Sequence, residues 1–200
     1  MTWMLTATGA TVDLRWMRGE DISLLDIAHH LAQINRYTGA ASRPYSVAEH
    51  SVLVVELLER AGYSNPSVLQ AALMHDAHEA YTTDLSTPMK QVLGDAWSRE
   101  EARIQYAVMR RFHLATTFGA WRGVIHSADM TALATERAAL LPPGGPVWPV
   151  MATHPPAEWV DFASRAQFTW LDWRQAFLDR FAELQFARDG IREAMARVTR

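Results

Sequence analysis

In the segment LMHDAHEAYTTDLSTPMK, residues 73–90, His75 and Asp76 stand side by side on what reads as the inward face of a helix. The same substitution of polar for apolar recurs when each helical stretch is followed at its three-and-four spacing. Val47, Val54, Leu57, Leu58 and Ala61 form a stripe that His50 interrupts. Leu69, Ala72 and Leu73 lead directly to Asp76, with His75 on the neighbouring row, and Ile125, Leu133 and Leu140 flank Asp129. A single inward His is ordinarily a hydrogen-bonded core residue, and a single inward Asp an ion-pair or helix-end residue. Taken as a set, they read differently. Buried carboxylates near one another lose hydration and repel, at a cost of several kcal/mol per ion, and no Lys or Arg lies on these stripes. A divalent cation offsets that cost. His50, His75, Asp76 and Asp129 make an N/O donor set suited to Zn, Mn, Fe, Co or Ni, and four protein donors on a six-coordinate ion leave positions for water and substrate.

Other polar residues fall near this set. Glu79, one helical turn beyond the doublet, is expected to overhang the same pocket, where a carboxylate can orient a water or relay a proton. Arg36, at a helix end in INRYTG, carries a guanidinium that can hold phosphate through two bonds. Lys90 follows Pro88, which is expected to break the helix and turn the chain back over the site, so its ammonium could meet phosphate oxygens as a point charge. A plain surface lysine is the alternative. His78 is expected to point away from His75, and His29, His30, His113, His126 and His154 have no partnered spacing. The pair Glu136-Arg137 reads as structural, an ion pair or a subunit contact.

The elements that must position these residues are mostly helices. Apolar residues at helical spacing begin at Ile22, with Gly39 closing the first segment. Ser46 followed by Glu49 reads as a capping box, and Gly62 as the stop of that helix. Asn65-Pro66 opens a helix through about residue 80, and further helices are expected at about 96–113, 120–140 and 157–187, with a small one after Asp189-Gly190. The stretch LPPGGPVWPVMATHPP cannot be regular helix and reads as a long connection. Before all of these, WMLTATGATVDLRW reads as a short hairpin about Thr8-Gly9. The expectation is an all-α fold with a small N-terminal β hairpin, one domain over residues 1–200.

Composition bounds the function. The chain has 200 residues, 49% of them hydrophobic, a net charge of −3 and no cysteine. No basic cluster is large enough to grip a duplex backbone, so a stable nucleic-acid complex is not expected. Absence of cysteine removes thiolate metal sites and a Cys nucleophile. No basic n-region precedes an apolar stretch at the N-terminus and no apolar run approaches a membrane span, so the expectation is a cytoplasmic protein without a membrane partner. Trp159, Trp170 and Trp173 read as core or oligomer contacts.

The order His50, His75-Asp76, Asp129 resembles the H…HD…D signature of the HD-domain phosphohydrolases, a helical superfamily. HDAHEAYTTDLSTPMK is similar to the HD-x-x-E…D-(L/I)-x-x-P-(L/M/V)-K stretch of its 5′-deoxynucleotidase-like branch, and YSVAEHSV and ADMTALATERAALLPP resemble the flanking segments. INRYTG and RPYSVAEHS bring the chain nearest in appearance to phage-type dATP triphosphohydrolases. The resemblance covers roughly residues 1 to 143 and implies an HD-domain helical bundle, with His50, His75, Asp76 and Asp129 as ligands of one divalent transition metal (Zn, Co, Mn or Fe). It also implies catalytic roles for Glu79 and Asp84, a phosphate contact at Arg36, a nucleoside contact at Tyr37 and a phosphate role for Lys90. The implied activity is a metal-dependent dNTP triphosphohydrolase, with dATP as a candidate substrate, that releases tripolyphosphate and draws on additional Mg or Mn ions to bridge the triphosphate. The alternatives are a 5′-deoxynucleotidase acting on dNMPs and a catalytically silent module that binds a nucleotide. A homo-oligomer, dimer or higher, is the expected assembly, in the cytoplasm of a bacterium or of a host cell if phage-encoded.

Overall fold

Two short β segments followed by helix-period patterning fold as that patterning dictates. The computed structural model describes residues 1–198. Strands β1 (Trp3–Leu5) and β2 (Thr11–Asp13) pair antiparallel, Met4 opposite Val12, across a turn in which Gly9 takes φ +84°. Glycine reaches that left-handed conformation without a Cβ clash. Helices α1 (Leu24–Gln33), α2 (Val47–Arg60), α3 (Pro66–Leu73), α4 (Glu79–Thr82), α5 (Thr87–Leu93), α6 (Asp95–Arg111), α7 (Ala115–Leu140), α8 (Val150–Thr153), α9 (Phe162–Arg165) and α10 (Trp170–Val198) follow. The sheet is tied to α1 through Asp26, fully buried, which accepts the Thr8 amide at 2.7 Å and its hydroxyl at 2.9 Å. No helix among the described residues is long and apolar enough to cross a membrane.

Helices α2 and α3 form the centre. α2 lies against α7, α3, α10 and α1, while α3 is enclosed by α2, α7 and α10. A helix covered from several sides is buried all round, and α3 is accordingly buried from Val68 through Leu73, Gln70 included, instead of along one stripe. Ile27, Leu31, Leu53, Leu73, Met109, Phe177 and Phe181 belong to one continuous cluster of buried side chains.

Several local expectations are corrected. The helix opened by Asn65-Pro66 stops at Leu73, not near residue 80. From there to Glu79 the bonds tighten to three-residue spacing: the His75 amide donates to Ala72 at 3.2 Å, Ala77 to Met74 at 3.0 Å and Glu79 to Asp76 at 2.9 Å. His75 Nδ1 also donates to the Ala72 carbonyl, at 2.7 Å, using up an acceptor that a continuing α-helix would need. Pro88 starts α5 instead of breaking a helix, since a proline in the first turn gives up no bond. α1 ends at Gln33, short of Gly39, and its Leu25 is half exposed. The expected 157–187 helix is divided before Trp170 by a reciprocal cap, in which the Thr169 amide donates to Asp172 Oδ2 at 2.7 Å and the Asp172 amide donates to Thr169 Oγ1 at 3.4 Å. α10 then runs through Asp189-Gly190 without a break. An interior glycine costs only about 1 kcal/mol, and Gln185 Nε2 bridges forward to Asp189 at 2.9 Å.

Candidate metal centre

Ser46 accepts the Glu49 amide at 3.1 Å and so caps α2, setting His50 one turn into the helix. Only half of the expected capping box forms, because the Glu49 carboxylate turns instead to Arg43, with guanidinium–oxygen distances of 2.8 and 2.7 Å. The tight turns after α3 present His75 and Asp76, and Gln105 of α6 steadies them by donating Nε2 to the His75 carbonyl at 3.0 Å. α7 brings Asp129. The four side chains meet: His50 Nε2 lies 3.3 Å from His75 Nε2, 3.6 Å from Asp76 Oδ2 and 3.2 Å from Asp129 Oδ1. His75 Nε2 lies 3.1 Å from Asp76 Oδ2 and 3.9 Å from Asp129 Oδ1. Donors about 2.1 Å from a common ion stand roughly 3.0 to 3.4 Å apart in octahedral or tetrahedral arrangement; His50, His75 and Asp76 hold donor atoms all within 4.8 Å of one another and could hold one divalent cation, with Asp129 beside the two imidazoles as a further candidate donor.

The imidazole tautomers point the same way. His50 Nδ1 donates to Glu136 Oε1 at 2.6 Å and His75 Nδ1 donates to the Ala72 carbonyl. Both acceptors are oxygens, so each Nδ1 carries a proton and in the neutral rings both Nε2 lone pairs would face the shared space, which is how metal-ligating histidines are held. Without an ion, the cluster balances its own charge. Burial and Arg36 disfavour a charged His50, but Glu136 and Asp129 outweigh them and raise it to about 9. Burial opposes ionisation of Asp76, and His75, His50 and Arg36 outweigh it, leaving the carboxyl well below its usual range. Asp129 is likewise lowered, against burial, by His50 and His75.

Glu136, expected to be merely structural, is the hub behind the donors. It is fully buried and accepts from His50, from Tyr45 Oη at 2.8 Å, from the Tyr37 hydroxyl and from Arg36 Nε at 3.3 Å. A signal existed in the sequence: Glu136 stands two helical turns beyond Asp129 on the same face of α7. Its former partner in that reading, Arg137, instead donates to the carbonyls of Pro142 and Gly144, at 3.0 and 2.6 Å.

Arg36 enters from outside the helical stripes. It sits past α1 in a turn where Tyr37 and Thr38 take φ +59° and +51°, and its Nη1 is 3.5 Å from Asp76. A cation thus does compensate the carboxylates, contrary to the expectation from the stripes alone. Tyr37 gives its hydroxyl to Glu136 and places its ring 6.2 Å from that of Trp148. Glu79 opens α4, 3% exposed, and its Oε2 has no hydrogen-bond partner among the described residues. Burial, then Asp76 and Asp84, push it well above the usual carboxylate range. Asp84 follows Thr83, whose φ is +69°, and is raised by burial, opposed by Arg36 and reinforced by Asp76. Three of the four non-glycine residues with positive φ among those described therefore adjoin this site, a concentration of local strain typical of functional regions. Lys90 Nζ pairs with Glu101 Oε1 at 2.6 Å, within electrostatic reach of Glu79 and Asp76. His78 is buried, with Nε2 3.5 Å from Glu101.

No family model matches the chain. It is 34% identical over 158 residues to the uncharacterized protein YfdR of Escherichia coli K12, covering 79% of this chain and 83% of that protein. It is 37% identical over 141 residues to the uncharacterized protein RCAP_rcc00048 of Rhodobacter capsulatus, covering 67% of this chain and 70% of that one.

Proposed function

We propose that this chain, which belongs to one family with the YfdR protein of Escherichia coli, is an HD-domain phosphohydrolase that uses one divalent transition metal to cleave a deoxynucleoside triphosphate. The observation that carries this reading is the convergence of two Nδ1-anchored imidazoles with Asp76 and Asp129 from three separate segments. Such a donor set suits Zn, Co, Mn or Fe. When bound, the ion supplies Lewis acidity and offsets phosphate charge.

The residues around it supply the rest. Arg36 faces the phosphoryl oxygens, and Asp84 orients the attacking water. Water attacks the α-phosphorus, the bond from that phosphorus to the 5′ oxygen breaks, and a proton goes to that oxygen, leaving deoxynucleoside and intact tripolyphosphate. Glu79, whose ionisation burial and its carboxylate neighbours oppose, is the proton donor. Tyr37, beside Trp148, offers a ring edge toward the nucleoside. The expected assembly remains a homo-oligomer.

One observation favours a second reading, a 5′-deoxynucleotidase. Arg43 and Lys90 pair with Glu49 and Glu101, and Arg36 itself lies against Glu136 and Asp76, so little cationic charge remains to offset a triphosphate, which suits a substrate with one phosphate. The test is product analysis of purified protein on a panel of dNMPs and dNTPs with Mn, Co, Zn and Mg. Intact tripolyphosphate from dATP supports the triphosphohydrolase. Orthophosphate released stepwise, or dNMP turnover much faster than dNTP turnover, promotes the second reading, and nucleotide binding without turnover leaves only a silent HD module.

A further inference from the structure

Beside the first donor set lies another polar group that the reaction above does not use as a unit. His78, Glu79 and Glu101 bring donor atoms within 4.8 Å of one another. They come from two segments: His78 and Glu79 are neighbours at the start of α4, His78 as its N-cap residue, and Glu101 comes from α6. His78 is 4% exposed, yet neither ring nitrogen makes a hydrogen bond among the described residues, Nε2 stopping 3.5 Å from Glu101 Oε1. A buried imidazole normally satisfies at least one nitrogen. Glu79 Oε2 is equally buried and unpartnered. The Lys90 ammonium, on the short helix α5, reaches into this space, 2.6 Å from Glu101 and only partly covered.

We propose that His78, Glu79 and Glu101 form a second divalent-cation site, closed in the resting protein by Lys90 acting as a tethered competitor. The donors, one imidazole and two carboxylates, suit Mn, Co or Zn better than Mg, which takes oxygen ligands and keeps its waters. Lys90 can leave without unfolding anything, because its side chain is partly solvent-exposed and α5 contributes no buried residue. An ion there holds Glu79 ionised. On the hydrolase reading, the two-ion state has lost its proton donor and excess metal slows turnover; that consequence rests on the reading above, whereas the site itself does not.

The experiment is a Mn²⁺ titration of the full chain already loaded with one equivalent of metal, with free Mn²⁺ followed by paramagnetic resonance and no nucleotide present. In Lys90→Met, the second equivalent should appear, or tighten at least tenfold over the unaltered protein, while the first is unchanged. Glu101→Gln should keep the first equivalent and lose the second. A simple surface ion pair predicts no gain of metal on removing Lys90. Lys90→Met without tightening overturns the proposal, as does a second equivalent of undiminished affinity in a folded Glu101→Gln. If Glu101→Gln does not fold, Lys90→Met decides alone. A second ion bound by a protein that turns over no nucleotide would keep this site and reject the hydrolase.

Discussion

Glu136 shows how much of the candidate centre lies one residue behind the donors. Its carboxylate fixes the His50 tautomer, and burial, which opposes its charge, is outweighed by Arg36 and His50, so it stays ionised well below the usual range. Glu136→Gln removes that charge while keeping the shape. Because outer-shell partners of ligating histidines contribute about 10- to 100-fold to metal affinity, this variant should bind Zn or Co more weakly by that factor at unchanged helix content, as read by competition with a chromogenic chelator. Glu79→Gln separates chemistry from binding: first-equivalent metal and nucleotide affinity should persist while kcat falls by about 10² or more, the contribution of one general acid. An active Glu79→Gln enzyme removes Glu79 from the mechanism. The pH response of stability has opposite signs with and without metal. In the metal-free chain His50 rises from 6.5 to about 9. A folded-state value above the unfolded one gives a contribution that is complete below about pH 6.5 and is lost as pH climbs through about 9. The melting temperature of the metal-free protein should therefore fall across that window. A bound ion needs neutral imidazole, so the metal-loaded protein should hold or gain; parallel curves for the two forms would contradict the placement of the site on His50.

At the scale of elements, the centre depends on where helices stop. α3 ends at Leu73, and the tight turns that follow let His75 and Asp76 both reach the donor cluster although adjacent residues on an α-helix point about 100° apart. α2 depends on its start. Ser46, buried, caps the helix that carries His50, and loss of an N-cap costs about 1 kcal/mol. Ser46→Ala should lower stability by about that much in denaturant titration, with metal stoichiometry retained because His50 still hangs from Glu136. Loss of the metal in a folded Ser46→Ala would mean that the cap, not Glu136, holds His50 in place.

For the molecule as a whole, α10 is the clamp that closes the core from the far side, packing on α1, α2 and α3. Phe177, in its first third, is fully buried. Replacement of a buried Phe by Ala costs about 3–5 kcal/mol, and for a chain of this size each kcal/mol shifts Tm by about 2–4 °C. Phe177→Ala should therefore lower Tm on the order of 10 °C in a calorimetric scan. The candidate metal donors come from α2, α7 and the turns after α3, so the variant should still load one equivalent below its melting point.

What the amino-acid order determined by itself is what repeats locally. Helical spacing of Val47, Val54, Leu57 and Leu58 marks α2, the β-branched residues about Gly9 mark the hairpin, and the polar breaks at His50, Asp76 and Asp129 mark the donors, because each of these is a periodic pattern against a local background. Tertiary structure alone decided the partners. Glu136 lies 86 residues from His50 and Arg36 lies 100 from Glu136, Arg43 and Lys90 were captured by Glu49 and Glu101, and the His78 ring was buried with no hydrogen-bond partner among the described residues. Periodicity tells which face of a helix turns inward, but charge pairing and burial depend on what the neighbouring helix brings to the same point, and that is set only when the helices pack.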